Sequence, residues 1–569
     1  MIETNEVLLR HENHWLHFSK PQRVFTTKRV HEVPDLLREV EALVNSQNGY
    51  AAGFLSYEAA PAFDKALRVL DSGDFPLLWF GVYPEPKKVE VSFPGQKLDP
   101  PNWQPSVERE GYNTSIEKIK EYIAKGRTYQ VNYTMRLQAN AAFHAWDLFL
   151  HLAKSQNKYA AFVNTGRYSI CSASPELFFQ LNGTTISSHP MKGTVKRGRT
   201  NIEDRQQADW LKDSVKNRAE NVMIVDMIRN DLGRIAKIGS VTVPQLFKIE
   251  KYPTLFQMTS AVEAETEASV TDIFSALFPC ASITGAPKVS TMEIISELET
   301  TPRKIYTGSI GYIAPGRQAQ FNVAIRTAVI DEQTRSAEYG VGGGVVWDSV
   351  NADEYSEALL KSRIMTEPAH EFPLLETLLW TSEEGYFLLD KHLARMADSA
   401  EYFDFPFQRN ELVDLLKKAA KPFKTPQRVR VLLNRAGEFT YEARVFSGEE
   451  KIFKVKMADV AIHSSDAFYF HKTTKRDIYP AIEGFDDILL YNEKDELTEF
   501  TIGNLVVKIK GEFFTPPTSC GLLAGVFRAY LIESGQVQER VIHKHELSAC
   551  EETYLVNSVR KWVRVELST

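Results

Sequence analysis

In the stretch SSHPMKGTVKRG, residues 187–198, Lys192 lies between Pro190-Met191 and Gly193-Thr194, with Lys196, Arg197 and Arg199 close behind. Proline and glycine stop a helix from running through, so this ammonium is expected on an irregular or strand-edge segment. An amine does covalent chemistry only when neutral, and a free lysine with a pKa near 10.4 is neutral in about one molecule per thousand at pH 7.4. Positive neighbours such as Lys196 and Arg197 would lower that pKa; a surface lysine on a turn would have no use for them. In ADEYSEALLKSR, 352–363, Glu354, Glu357 and Lys361 fall at i, i+3 and i+7, along one helical face. Two carboxylates one turn apart repel each other. A divalent ion such as Mg²⁺ relieves that, and so does a solvated face with a Glu357–Lys361 pair. Glu220, before an apolar run in NRAENVMIVDMIRND, reads as a further metal ligand or as a helix-end residue. The glycines of YGVGGGVVWDS, Gly340, Gly342, Gly343 and Gly344, either let backbone N–H groups approach an anion or form a flexible turn between strands.

A second group of candidates lies near the C-terminus. DKHLARMADSAEYF, 390–403, carries Leu393, Met396, Ala397, Ala400 and Phe403 on one stripe and leaves Arg395 off it. FHKTTKRD, 470–477, offers Lys472 and its rival Lys475. ILLYNEKDELTEFTIGNLVV, 488–507, reads as strand, turn and strand, and LLAGVFRAYLIES, 522–534, as a glycine-opened helix. Taken singly, Arg395 is a solvated helix charge and Lys472 one of several exposed cations.

The elements that must position these groups mix strands and helices in both halves, an α/β (α+β) class. In FNVAIRTAVI, 321–330, alternation puts Val323, Ile325, Thr327 and Val329 on one strand face and Asn322, Ala324 and Arg326 on the other. In GAPKVSTMEIISELE, 285–299, Val289, Met292, Ile295 and Leu298 recur at helical spacing, with Pro287 in the first turn and SITGAPK forming an anion-favouring helix start. A boundary is expected at TEPAHEFP, 366–373, and a softer break at 101–111. At 569 residues the chain exceeds one hydrophobic core. A net charge of -7 argues against a general nucleic-acid binder and for small anions in local basic pockets. Cys171, Cys280, Cys520 and Cys550 lack metal-type spacing, which points to a reduced, cytoplasmic setting. No signal peptide and no membrane-spanning run is expected.

PMKGT, Ser174-Pro175-Glu176, RAENVMIVDMIRNDLGR, SITGAPKVSTMEII, GSIGY, IRT, GGG and EYSE occur in an order that resembles the chorismate-utilising enzymes over roughly residues 110–366. That family comprises the large subunits of anthranilate and aminodeoxychorismate synthases and the isochorismate and salicylate synthases. The resemblance implies Glu220 and Glu357, helped by Glu354, as Mg²⁺ ligands for the ring carboxylate. It also implies Arg326, Lys361 and the backbone of Gly342–Gly344 as anion-binding groups, with Thr284 and Gly285 on the substrate-side turn. Members that make anthranilate carry alanine where Lys192 stands, whereas lysine marks the 4-amino-4-deoxychorismate synthases, in which the amine attacks the ring. Many relatives have a histidine at Gln257, and glutamine exchanges no proton near neutral pH, so Glu176 is the first alternative as proton donor. Neither Cys280 nor Cys520 sits in a glutaminase-type frame, which implies a separate glutamine amidotransferase subunit as ammonia source. Residues 1–105 resemble the family's accessory front lobe, which holds a feedback ligand in the anthranilate enzymes.

From LLETLLW, 374–380, nearly to the end, the chain resembles the class IV fold of pyridoxal-phosphate enzymes, which includes aminotransferases and aminodeoxychorismate lyase. The resemblance implies that Lys472 holds the cofactor, that Glu499 keeps its ring nitrogen protonated, and that Arg395 and the N–H groups of Gly525, Val526 and Phe527 bind its phosphate. Phe527 replaces a small hydroxyl residue common in the aminotransferases and leans toward the lyase. The expected organisation is an accessory lobe at 1–105, a chorismate-binding domain at 106–367, a linker at 368–373 and a class IV domain at 374–569. The expected function is conversion of chorismate and ammonia to 4-aminobenzoate. The alternatives are an anthranilate or isochorismate-type synthase joined to an aminotransferase, and a non-catalytic chorismate-binding regulatory subunit of a glutaminase complex.

Overall fold

The computed structural model describes residues 2–93, 101–155, 158–362, 365, 372–448 and 451–568. The expected linker lies outside the described residues up to position 371. The chain divides into two compact units, Met1–Val195 with Asp209–Ala369, and Lys196–Ala208 with His370–Thr569.

Period-two alternation builds the first unit. In the strand Glu6–His11, Val7 and Leu9 face one core and Leu8 another; in Tyr50–Leu55, Ala52 and Phe54 oppose Ala51 and Leu55. One row from each of two ten-stranded sheets joins a shared core with Phe18, Tyr83, Ile170 and Ile310, so the sheets pack face to face. Each large apolar side chain withdrawn there from water stabilises the fold by about 1.5–3 kcal/mol. Helices cover the outer faces. Val33–Gln47, Val215–Gly233 and Val270–Leu277 lie over one sheet, and Arg109–Ala124, Ala145–Ser155, Lys288–Leu298 and Asn351–Ser362 over the other. Strands from the first hundred residues are woven into both sheets: Glu6–His11 pairs with Ala161–Asn164, and Tyr50–Leu55 with Ser309–Ala314.

The structure corrects two expectations here. The run 321–330 is not one strand: Gln318–Asn322 belongs to one sheet and Thr327–Asp331 to the other. Between them Arg326 adopts a left-handed φ of 51°, which breaks the ladder and lets the chain cross between sheets. In Lys288–Leu298, Met292, Ile295 and Leu298 are buried as expected, but Val289 is exposed and Pro287 precedes the helix as its N-cap.

In the second unit, Leu374–Thr381 pairs antiparallel with Gly385–Tyr386 and with Gln427–Leu433, which pairs with Phe439–Val445. Helices Leu389–Phe403 and Arg409–Ala420 pack on this sheet through Leu393, Met396, Leu412 and Leu416. The remaining strands form an eight-stranded sheet in which Leu497–Phe500 also pairs with Asn504–Ile509, closing a ring around Leu489, Leu505 and Leu555. Over 488–507, where strand, turn and strand are expected, the structure makes three strands, Asp487–Tyr491, Leu497–Phe500 and Asn504–Ile509, while the glycine-opened helix is present as Val526–Glu533 with Gly525 as N-cap. Among the described residues no helix is long and apolar enough to cross a membrane.

Candidate active sites

Lys192 stands on the edge strand Met191–Lys196, beside Leu255–Glu265. Gly193 follows with φ 88°, a conformation that favours glycine and explains the Lys-Gly pair. Gln257 fastens this strand: its Nε2 donates to Gly193 O at 2.9 Å, and its Oε1 accepts from Thr194 Oγ1 at 3.0 Å. Gln257 therefore positions the lysine-bearing strand.

Burial lowers the pKa of Lys192, opposed by Glu176 and Glu220 and assisted by Lys361. Lys196 and Arg197 are not among the groups that dominate this shift. Arg197 instead lies in the second unit, where its Nε donates to the Asp204 carboxylate at 2.7 Å, so its charge is already neutralised. The expected use of those basic neighbours is thereby corrected. Glu176 is buried, accepts from Ser282 Oγ at 2.7 Å, and is pushed up to about 7 by burial. A carboxyl group that still holds its proton near neutrality thus lies close to an amine eased toward its neutral form.

The glycine run is neither a turn nor irregular; Gly340–Gly344 lie within the strand Ser336–Val345. This strand pairs with Gln130–Asn140 along its length, but with Thr327–Asp331 only at Ser336–Tyr339. From Gly340 onward its second edge has no strand partner among the described residues. Opposite Gly344 and Gly342, Asn132 and Thr134 send their N–H groups to Thr284 O and Glu299 Oε1. Gly342 and Gly344 are therefore non-hydrogen-bonded pairs whose amides face the open edge, while Gly343 turns into the ladder. Lys361 Nζ donates to Gly342 O at 3.0 Å and pairs with Glu357 Oε1 at 2.9 Å.

Glu354 accepts from Ser349 Oγ at 2.6 Å, and burial raises its pKa, as it does for Glu220. Glu220 lies within the helix Val215–Gly233, beyond its first turn, and not at a helix end. Glu354 and Glu220 are each also raised by Glu357, so these carboxylates repel one another and invite a cation. Among the described residues, no three acidic, histidine or cysteine side chains close into a metal-binding group. The donor set suits Mg²⁺, which is commonly held by one or two carboxylates, waters and substrate oxygens.

Burial lowers the pKa of Arg326, which has no carboxylate partner among the described residues and faces Tyr252 and Tyr339. Thr284 is fully buried, with its hydroxyl donating to Cys280 O and Ala281 O, and Gly285 (φ 142°) pairs with Val131. Sequence reasoning missed Gln130, whose buried side-chain oxygen and nitrogen both lack partners. A Cβ on Gly344 would overlap its Nε2 and come 3.2 Å from Lys192 Nζ. An unpaired buried amide costs about 1–3 kcal/mol, so one aimed at this position is poised for a ligand. Its neighbours in QVNY carry no local signal of this.

In the second unit a pocket is lined by Lys472, Glu499, Arg395, Gly525 and Val526, among others. Burial, then Arg395, pulls Lys472 down to about 8. Glu499 is buried and pushed up to about 8; it accepts from Leu523 N and Asn504 Nδ2, both at 3.2 Å. The helix Val526–Glu533 leaves its first-turn amides, including Val526 and Phe527, free of intrahelical bonds, while the Phe527 ring packs in a core with Val506 and Leu531. A Cβ on Gly525, the N-cap, would collide with Asn504 Oδ1, so glycine is what lets Asn504 approach the start of this helix. Arg395 reaches the same end through Ala524 O at 3.2 Å and is held by Glu376 in two 2.8 Å bonds. Glu376, a missed residue, also bonds His392 Nδ1 at 2.7 Å. Anchoring lysine, acid and helix-end anion cradle fit a pyridoxal phosphate.

A second missed feature is the segment Lys196–Ala208. Tyr402 Oη donates to Gly198 O at 2.7 Å, Asn201 Nδ2 donates to Asp398 O at 2.6 Å, and Arg199 Nη1 to Ser464 O at 3.1 Å. His471, next to Lys472, stacks on Tyr402 with ring centroids 4.3 Å apart. Its Nε2 meets Arg199 O at 3.1 Å and its Nδ1 meets Ser399 Oγ at 3.0 Å. A carbonyl only accepts, so Nε2 carries the proton, and burial holds the ring neutral with a pKa of about 4.

The family described as chorismate binding enzyme matches residues 4–367, and that described as amino-transferase class IV matches residues 374–567. Aminodeoxychorismate synthase component 1 of Bacillus subtilis (strain 168) is 42% identical over 259 residues, covering 45% of this chain and 55% of the relative. The protein of the same name from Escherichia coli (strain K12) is 39% identical over 271 residues, covering 47% of this chain and 59% of the relative. The chain thus spans little more than half the length of these relatives. The crystal structure of anthranilate synthase component I from Streptococcus pneumoniae TIGR4 matches 64% of this chain and 91% of its own, with TM-score 0.53 and 24% identity, a likeness of fold.

Proposed function

Because the chain belongs to the chorismate binding enzyme family, we propose that its first unit converts chorismate and ammonia to 4-amino-4-deoxychorismate and its second releases pyruvate from that product to give 4-aminobenzoate. The observation that carries this reading is the electrostatic coupling of a half-buried lysine, Lys192, its pKa lowered by desolvation, with buried Glu176, raised to about 7.

The Lys192 amine attacks C2 of the chorismate ring while Glu176 gives its proton to the departing 4-hydroxyl. Ammonia then bonds to C4, the double bonds shift back, and the lysine leaves as an amine. One difficult displacement becomes two easier ones. Arg326, Lys361 and the open-edge amides of Gly342 and Gly344 hold the substrate's carboxylates. Glu220 and Glu357, with Glu354, would hold Mg²⁺, which neutralises the ring carboxylate. A separate glutamine amidotransferase supplies ammonia.

In the second unit, Lys472, Glu499, Arg395 and the first-turn amides of Val526 and Phe527 would hold pyridoxal phosphate, which supplies an electron sink. Lys472 takes the C4 proton of the substrate, Glu499 holds its own proton against the ring nitrogen, and departure of pyruvate leaves an aromatic ring.

The test is product mass from chorismate and ammonium salts. Lys192→Ala should lose amination yet release pyruvate from supplied 4-amino-4-deoxychorismate, and Lys472→Ala should do the reverse. Anthranilate or isochorismate as product would overturn the reading.

A further inference from the structure

The second unit's cavity contains two cations that no carboxylate claims. Of the lysines and arginines lining it, Arg395 is bound to Glu376 and Lys472 is the cofactor anchor. Lys475 and Arg476 follow three and four residues later, in KTTKR. Lys475 Nζ sits 4.2 Å from the Phe468 ring centroid. The Arg476 guanidinium stacks 4.1 Å from the Tyr479 ring centroid and donates one bond, 2.6 Å, to Thr501 O. Neither has an acidic partner among the described residues. Tyr479 in turn reaches Glu499 Oε1 at 3.4 Å, which ties this side of the cavity to the acid expected at the cofactor ring.

An arginine stacked on an aromatic ring keeps its remaining N–H groups in a fixed fork, the geometry that takes a carboxylate through two parallel bonds. A lysine one residue away adds a compact point charge. Half-buried Lys475 and solvent-exposed Arg476 present two positive charges at the wall of the cavity, an arrangement that suits a dianion.

We propose that Lys475 and Arg476 form the subsite that binds the two carboxylates of the substrate in the second unit, with Arg476 the principal specificity residue. This rests on the reading of that unit as acting on 4-amino-4-deoxychorismate, which carries one carboxylate on the ring and one on the enolpyruvyl arm. The subsite holds the ring so that its C4 amine faces Lys472, and it disfavours monocarboxylates, which would leave one cation unpaired.

The experiment uses the full-length holoenzyme, with supplied 4-amino-4-deoxychorismate and pyruvate release as the readout. Arg476→Gln and Lys475→Gln should each raise KM by about 10- to 100-fold, the span of a lost charged hydrogen bond. The kcat should stay within a few fold and the cofactor's visible absorbance should be kept, and Arg476→Lys should recover part of the loss. In the parent, 3-(carboxymethoxy)benzoate should inhibit at least tenfold better than benzoate, a comparison that needs no variant to fold. Unchanged KM in both glutamine variants, or equal inhibition by the two acids, would sink the subsite while leaving pyruvate release intact. Loss of cofactor absorbance in Lys475→Gln would make Lys475 the anchor and overturn its role here. Absence of pyruvate release from the parent would remove the underlying reading instead.

Discussion

Glu176 shows how much a single side chain owes to its surroundings. The residue type only announces an acid; burial beside Ser282 makes it one that keeps its proton to about pH 7. As donor to the leaving hydroxyl it must be protonated, so its working fraction halves at about pH 7 and falls roughly tenfold per unit above that. We expect the single-turnover amination rate to carry this descending limb. Glu176→Gln, which cannot give up a proton, should abolish the limb and slow amination by about 10²- to 10⁴-fold. A parent profile flat from pH 6 to 8.5 would exclude Glu176 as the donor. Lys192 was legible as a chemical residue through the ordered motifs of the resemblance, its PMKGT setting by itself announcing only an irregular or strand-edge position. Gln130 was not, because an amide becomes conspicuous only when both its polar atoms are buried without partners.

At the scale of elements, the strand Ser336–Val345 separates fold from chemistry within five residues. A Cβ on Gly342 would drive into Tyr133 O, and one on Gly340 into the Tyr306 ring, so alanine at either must displace packed structure. Gly342→Ala should therefore cost stability, on the order of 1–3 kcal/mol. Gly344→Ala meets the movable end of Gln130 and comes near Lys192. It should leave the unfolding midpoint within about a degree or two but reduce amination by about tenfold or more. Thermal unfolding and ammonia-dependent turnover, measured on both variants, check the contrast; equal effects on both would refute it. Periodicity located the helices Lys288–Leu298 and Asn351–Ser362 well. It failed at 321–330 because alternation continues through a sheet crossing, and only the left-handed Arg326 marks the break.

At the scale of the whole molecule, the second unit is not a contiguous stretch of sequence, since Lys196–Ala208 belongs to it. A chain reduced to 370–569 would strand Tyr402 Oη, Asp398 and His471 Nε2 without their partners from that segment. Tyr402 and His471 are buried, and each polar group orphaned there costs about 1–3 kcal/mol. The shortened chain should therefore unfold at a lower temperature and bind pyridoxal phosphate more weakly than the second unit does in the full chain. Joining residues 196–208 back through a flexible linker should restore both. An unchanged midpoint and affinity in the fragment would show the segment to be dispensable. What the sequence determined alone was the order of chemically capable residues and the local backbone around them: Lys192 before Gly193 on an irregular or strand-edge segment, Glu354, Glu357 and Lys361 on one helix face, and a glycine opening the helix Val526–Glu533. Those features depend on residue type and on neighbours within a few positions. Only the tertiary structure decided that Arg197 serves Asp204 rather than Lys192, that Gln130 meets Gly344, and that Glu176 and Lys472 titrate near 7 and 8. Desolvation and pairing are sums over atoms brought together from distant parts of the chain, and no local pattern contains them.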